Sequence, residues 1–162
     1  MKIAFTYRDD NYFSKLVRKI TKSEWSHTFI IMDDYLSDDD VIFESAFGHG
    51  VHLNLLSKYI DNPHVGIKVF EVDEGKALHG MKKLIGKRYG YFQSVGFLIK
   101  KLFNMDKNPS KQGQWCSELV LTILLETSDA NLFKHLPMNS ASPEDIYQIL
   151  MKHPDIFKVS SI

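Results

Sequence analysis

The chain of 162 residues contains one cysteine, Cys116. A single cysteine excludes a disulfide within the chain and any multi-thiolate zinc site. Internal repeats, low-complexity runs and linker-like stretches are also missing, so one domain is expected over residues 1–162. There is no excess of charge of either sign: Lys plus Arg and Asp plus Glu number 20 each, giving a formal net charge of zero. Nucleic-acid binders are typically basic overall or carry a basic stripe, so the balance argues against that class and against bulk attraction to anionic membranes. No apolar run approaches the roughly 18 residues of a membrane-spanning helix. The opening MKIAFTYRDD has no apolar signal core, and the expectation is a protein that is cytoplasmic when made. A phage- or virus-encoded source, with later release on lysis or packaging in a virion, fits the same features.

What is present is ordinary globular material. Apolar residues make up 44% and charged residues 25%, enough for a real core and incompatible with a disordered or fibrous chain. Residues 2–7 alternate polar and apolar, as in a half-buried strand. Asp9, Asp10 and Asn11 are cap-type residues, and Tyr12, Phe13, Leu16, Val17 and Ile20 then recur at helical spacing, which predicts a helix over 11–21. Residues 26–32 and 41–46 are β-branched and aromatic runs around a polar stretch, an antiparallel hairpin. With a turn centred near Asp34 and Tyr35, His27 lies roughly opposite Glu44. Gly48 and Gly50 introduce a third strand over 51–55, a helical turn follows at 57–59, and 66–72 alternates as another strand. Helices are expected over 77–85, ending at Gly86, and over 92–103, with a polar loop at 104–114. The most regular helix opens at Cys116 and runs to about Thr127. Ser142-Pro143-Glu144-Asp145 is a strong helix start, with a cap residue, proline at the first position and acids in the first turn. A final strand is expected over 156–159. Strands early and helices late predict an α+β fold with a mostly antiparallel sheet.

Cys116 is the sharpest chemical signal. It follows the Gly113 loop at the start of a helix, where unpaired backbone N–H groups and the helix dipole favour a thiolate, the nucleophilic form. A buried structural cysteine is the competing reading, because free cysteines are among the most buried residues. A nucleophilic thiol needs a base, and the base needs a group to orient it. Of seven histidines, His64, His79, His135 and His153 sit in polar contexts and His49 and His52 flank a turn, whereas His27 opens an apolar strand. Glu44 is equally out of place in Ile42-Phe43-Glu44-Ser45-Ala46, and a carboxylate there needs a partner. His27 can be that partner. The carboxylate would then hold one imidazole tautomer and stabilise its charged form.

Other chemistries are poorly supported. His49-Gly50-Val51-His52 with Cys116 or Glu44 does not repeat a metal-ligand spacing, so no metal is expected. The serines lack a Gly-x-Ser-x-Gly setting, and no phosphate-binding glycine loop occurs, so no cofactor is expected. The basic and aromatic stretch 82–101 reads as a solvated helix face, and no nucleic-acid partner is expected.

The order His, Glu, then Cys at a helix start resembles the circularly permuted branch of the NlpC-type papain-like hydrolases, the YiiX-like proteins, with lecithin retinol acyltransferase as a distant relative. Thr21-Lys22-Ser23-Glu24-Trp25-Ser26-His27 is similar to the segment leading into that family's histidine strand. Ile42-Phe43-Glu44-Ser45-Ala46 resembles the strand with its third polar residue, and Trp115-Cys116-Ser117-Glu118-Leu119-Val120 its Cys-Ser-x-Leu-Val helix start. Gly86-Lys87-Arg88-Tyr89 is similar to a Gly-x-x-Tyr whose tyrosine sits beside the nucleophile. The stretch between Tyr89 and Cys116 is longer than in unpermuted relatives, so Tyr91 is the alternative. Ser142-Pro143 resembles the pair that opens a late helix.

The resemblance implies a permuted papain-like fold in which an antiparallel sheet or partial barrel packs against helices. It implies Cys116 as nucleophile, His27 as base and later acid, and Glu44 as the group orienting His27. The Cys116 N–H and the Tyr89 hydroxyl would hold the oxyanion, with Ser117 on the substrate side. The function implied is a cysteine hydrolase of amide bonds through a thioester, with a cell-wall peptide as substrate. A lipid-directed thiol acyltransferase or esterase, and a catalytically silent binding module, are the alternatives.

Overall fold

The structure, a computed structural model, describes residues 1–32, 39–89 and 115–160. Its strands are β1 (Lys2–Arg8), β2 (His27–Met32), β3 (Val41–Ala46), β4 (Gly50–Leu55), β5 (Val65–Glu71) and β6 (Val159–Ser160). Its helices are α1 (Tyr12–Thr21), α2 (Ser57–Ile60), α3 (Ala77–Leu84), α4 (Cys116–Leu124) and α5 (Pro143–Lys152), with a short 3₁₀ turn at Ala130–Leu132. The strands form one open antiparallel sheet in the order β4-β3-β2-β1-β5-β6.

Helix boundaries follow local chemistry. Asn11 caps α1 by accepting from Ser14 N at 3.0 Å. At α5 the expected start is a full capping box: Asp145 N donates to Ser142 Oγ at 3.3 Å, and Ser142 N donates to Asp145 Oδ2 at 2.7 Å. The central strands bury both faces. Ile3, Phe5, Ile30, Phe43 and Phe70 pack toward α3, α4 and α5, while Ala4, Phe29, Ile31, Ile42 and Val69 pack toward Leu56 and Tyr59.

Three expectations need correction. β1 is not half-buried, because Ile3, Ala4, Phe5 and Thr6 are all buried; as a central strand it is covered on both sides. The β2–β3 hairpin runs as Ile30↔Phe43, Ile31↔Ile42 and Met32↔Val41, two residues from the register that sets His27 opposite Glu44. Continued, that register puts Phe29 rather than His27 opposite Glu44. A two-residue shift preserves the face, so His27 and Glu44 remain diagonal neighbours. The last strand shrinks to Val159–Ser160, since Pro154 and its neighbours turn and Phe157 is drawn into the core against Phe133. The hairpin tip at Asp34 and Tyr35, the helix expected over 92–103 and the loop 104–114 lie outside the described residues.

Candidate active site

The site lies at one end of the sheet, where β1 and β3 finish and β2 begins. Cys116 is the first residue of α4, with Trp115 at the cap position. Trp115 has no side-chain oxygen to offer the helix, and the first intrahelical bond runs from Leu119 N to Trp115 O at 2.9 Å. The start of α4 therefore presents backbone N–H groups beside the sulfur without a side-chain cap. Leu119, Val120 and Ile123 are fully buried and press the helix onto the sheet, which fixes where its first residue ends up.

His27 begins β2, with its side chain 20% exposed, and Glu44 on β3 is completely buried behind it. His27 Nε2 lies 3.0 Å from Glu44 Oε2. The Cys116 thiol lines the same cavity as His27 and acts on its ring to raise the imidazole pKa. With Nε2 held on the carboxylate, Nδ1 is the ring nitrogen left for the thiol. Glu44 is the hub of a larger network. Tyr59 donates its hydroxyl to Oε2 at 2.5 Å. Asn54 Nδ2 and Lys58 Nζ donate to Oε1 at 2.8 and 3.1 Å, and His52 Nε2 stands 3.4 Å from the same oxygen.

These contacts set the charge states. Burial alone would lower the His27 pKa, but hydrogen bonds and charges from Cys116 and Glu44 outweigh it and raise the value to about 10. His27 is therefore an imidazolium at neutral pH. Burial pushes Glu44 up, yet His27, Tyr59 and Asn54 hold its carboxyl well below the usual carboxylate range. Burial and the Glu44 charge push the Tyr59 phenol far up, so it stays a donor.

Cys116 and His27 line a cavity of about 230 Å³. Thr6, Arg8, Asn11 and Ser26 give it a polar wall, and Phe13, Phe47 and Tyr89 an aromatic one. The Phe13 and Phe47 centroids are 5.9 Å apart and those of Phe47 and Tyr89 5.7 Å apart. Tyr89 reaches this wall because its segment is strapped to β4: Gly86 N donates to Val51 O at 2.9 Å and Val51 N to Lys87 O at 2.8 Å. Gly50 permits the strap, having φ +77° and no room for a Cβ against the Lys87 carbonyl.

Cys116, His27 and Tyr89 thus line one cavity, with Glu44 held against His27. Ser117 does not. It is fully buried, and its hydroxyl donates to Ala141 O at 2.7 Å, so its side chain is turned into the body rather than to the substrate side. Tyr91 lies outside the described residues. Sequence reasoning missed Asn54, Lys58 and Tyr59. A signal existed: a hairpin centred on Gly48 pairs Glu44 with His52 and Ile42 with Asn54, putting Asn54 on the face of Glu44.

A cysteine at a helix start packed against an open antiparallel sheet is the architecture of a papain-like fold. The chain belongs to the family of permuted papain-like amidases, YaeF/YiiX, C92, whose model matches residues 9–153. Among solved structures it is similar to the metalloprotein yiiX from Escherichia coli O157:H7, with 19% identity and a TM-score of 0.63 over 99% of this chain and 94% of that one. At that identity the likeness concerns the fold. No curated protein matches the chain significantly. The family supports a cysteine hydrolase acting on amides.

As for a metal, no three of the described His, Cys, Asp and Glu residues form a group that could hold one. The Glu44 oxygens are occupied by hydrogen-bond donors, with the Lys58 ammonium among them, which does not suit a cation site. Among the described residues no helix is long and apolar enough to cross a membrane.

Proposed function

We propose that the protein cleaves amide bonds with Cys116 as nucleophile, His27 as acid and base, and Glu44 orienting His27. One observation carries this reading: the imidazole of His27, held at 3.0 Å by the buried Glu44 carboxylate, and the Cys116 thiol line one cavity. The Cys116 thiolate adds to the carbonyl carbon. The developing oxyanion is held by the Cys116 N–H at the start of α4 and by the Tyr89 hydroxyl. His27 gives its proton to the leaving nitrogen, the C–N bond breaks, and a thioester remains. Water then loses a proton to His27 and attacks the thioester, releasing the acid and restoring the thiolate–imidazolium pair. Glu44 keeps Nε2 protonated and Nδ1 aimed at the sulfur throughout.

A cell-wall stem peptide is the substrate suggested by the resemblance to NlpC-type hydrolases, and the polar wall of Thr6, Arg8, Asn11 and Ser26 suits a peptide. The aromatic wall favours a second reading, an acyl ester or lipid amide whose chain lies along Phe13, Phe47 and Tyr89. Incubation with stem peptides or with phospholipids, followed by intact mass of the protein, separates them by the acyl group left on Cys116. Cys116→Ala is expected to abolish turnover with an unchanged circular dichroism spectrum. A folded Cys116→Ala protein that still turns over refutes the assignment.

A further inference from the structure

Tyr59 touches both members of the His27–Glu44 pair. Its hydroxyl and His27 Nε2 share one carboxylate oxygen, Glu44 Oε2, at 2.5 and 3.0 Å. Its ring is stacked with that of His27, the centroids 6.0 Å apart and the planes 17° from parallel, and Phe29 packs against both rings, 4.6 Å from Tyr59 and 5.8 Å from His27. The residue sits on α2, whose first turn is pinned by Ser57 N donating to Asp39 Oδ1 at 3.2 Å and Leu56 N donating to Asp40 O at 2.9 Å. The other donors to the carboxylate, Asn54 and Lys58, both address Oε1, and His52 Nε2 stands 3.4 Å from the same oxygen. The two oxygens therefore have separate tasks: Oε1 anchors the carboxylate to β4 and α2, and Oε2 is the one presented to the imidazole.

We infer that Tyr59 is a positioning residue for the Cys116–His27 pair, holding Glu44 Oε2 by its hydroxyl and the imidazole plane by its ring so that Nδ1 faces the sulfur. The inference rests on the proposed roles of Cys116 and His27. Without the hydroxyl, Oε2 keeps His27 as its single close donor, the carboxylate gains freedom to turn, and the imidazolium beside the sulfur loses its fixed counter-charge. The groups bearing on this titration are His52, Asn54, Lys58 and Tyr59 around Glu44, Cys116 and Glu44 around His27, and Arg8, whose charge is felt at Tyr59.

The test is the pH dependence of Cys116 alkylation by iodoacetamide, read by mass, in the wild type and in Tyr59→Phe, which keeps the ring and drops the donor. The acid limb of the Tyr59→Phe profile is expected to move toward neutral pH, with about a tenfold slower rate in mildly acidic buffer, the worth of one hydrogen bond to a charged group. Asn54→Ala, which removes a donor from Oε1 only, is expected to move the limb less. A folded Tyr59→Phe protein with the wild-type profile overturns the inference, as does an equal shift in Asn54→Ala. Should Tyr59→Phe fail to fold, 3-fluorotyrosine placed at position 59 is a stronger donor in the same ring and must move the limb the other way; an unmoved limb overturns the inference. Failure of the underlying reading looks different: wild-type Cys116 then labels slowly at every pH below that of a free thiol.

Discussion

At the residue scale the molecule is organised around one carboxylate. Glu44 is buried without exposure and is tolerated because His27, Asn54, Lys58 and Tyr59 converge on it. All four are donors, so Glu44→Gln turns an amide N–H₂ against at least one of them. The expected cost is about 3–5 kcal/mol, the range for breaking a buried charged pair, read as a fall in the urea midpoint. A midpoint within experimental error of the wild type would show that the network contributes nothing to stability. The partnership of His27 with Glu44 was legible in the chain, because each is an ionisable residue stranded in an apolar strand. Tyr59 was not legible, because a tyrosine in a short helical turn has no local anomaly; its role comes from a contact fifteen residues back along the chain. Ser117 misled for the converse reason. Adjacency to Cys116 in sequence is 100° of rotation on a helix, which sends the Ser117 hydroxyl to Ala141.

At the element scale, two structures hold the site in place. The first is the strap of residues 86–89 on β4. Gly50→Ala meets both a positive φ and the Lys87 carbonyl, whereas Gly86, at φ +79°, has nothing within 4 Å of an added Cβ. Gly50→Ala is therefore expected to lower stability by about 1–3 kcal/mol and Gly86→Ala by less, both read from thermal midpoints. Gly50→Ala should also displace Tyr89 from the cavity and slow turnover; equal effects at the two glycines would contradict the role of the close approach. The second is the capping box at the start of α5. Ser142→Ala is expected to cost about 1 kcal/mol by denaturant titration. Most element boundaries followed from caps, glycines and periodicity, and β3 and α5 fall where the pattern put them. The β2–β3 register did not follow, because the turn that sets it is polar and carries no glycine to locate its centre.

At the scale of the whole molecule, the site's charges couple folding to pH from both sides. His27 has its pKa raised from 6.5 to about 10, so its contribution is fully present below pH 6.5 and is lost as pH rises through about 10. Glu44 is held below its ordinary value of 4.5, so its contribution is present above that pH and lost on acidification. The urea midpoint is expected to be highest between these limits and to fall on either side. Cys116→Ala removes one of the two groups that raise His27, so the alkaline fall should begin at lower pH in that variant. A midpoint that is flat in the wild type from neutrality to about pH 10 would refute the coupling.

The sequence by itself determined the class of fold, the helix that begins at Cys116, and the pairing of His27 with Glu44, because caps, periodicity and misplaced ionisable residues are properties of a few neighbouring positions. Only the tertiary structure decided which nitrogen of His27 faces Glu44, which residues hold Glu44, and that the Ser117 side chain points away. Those depend on strand register, on the rotation of helices against the sheet and on contacts between distant segments, and none of these is encoded within a local window.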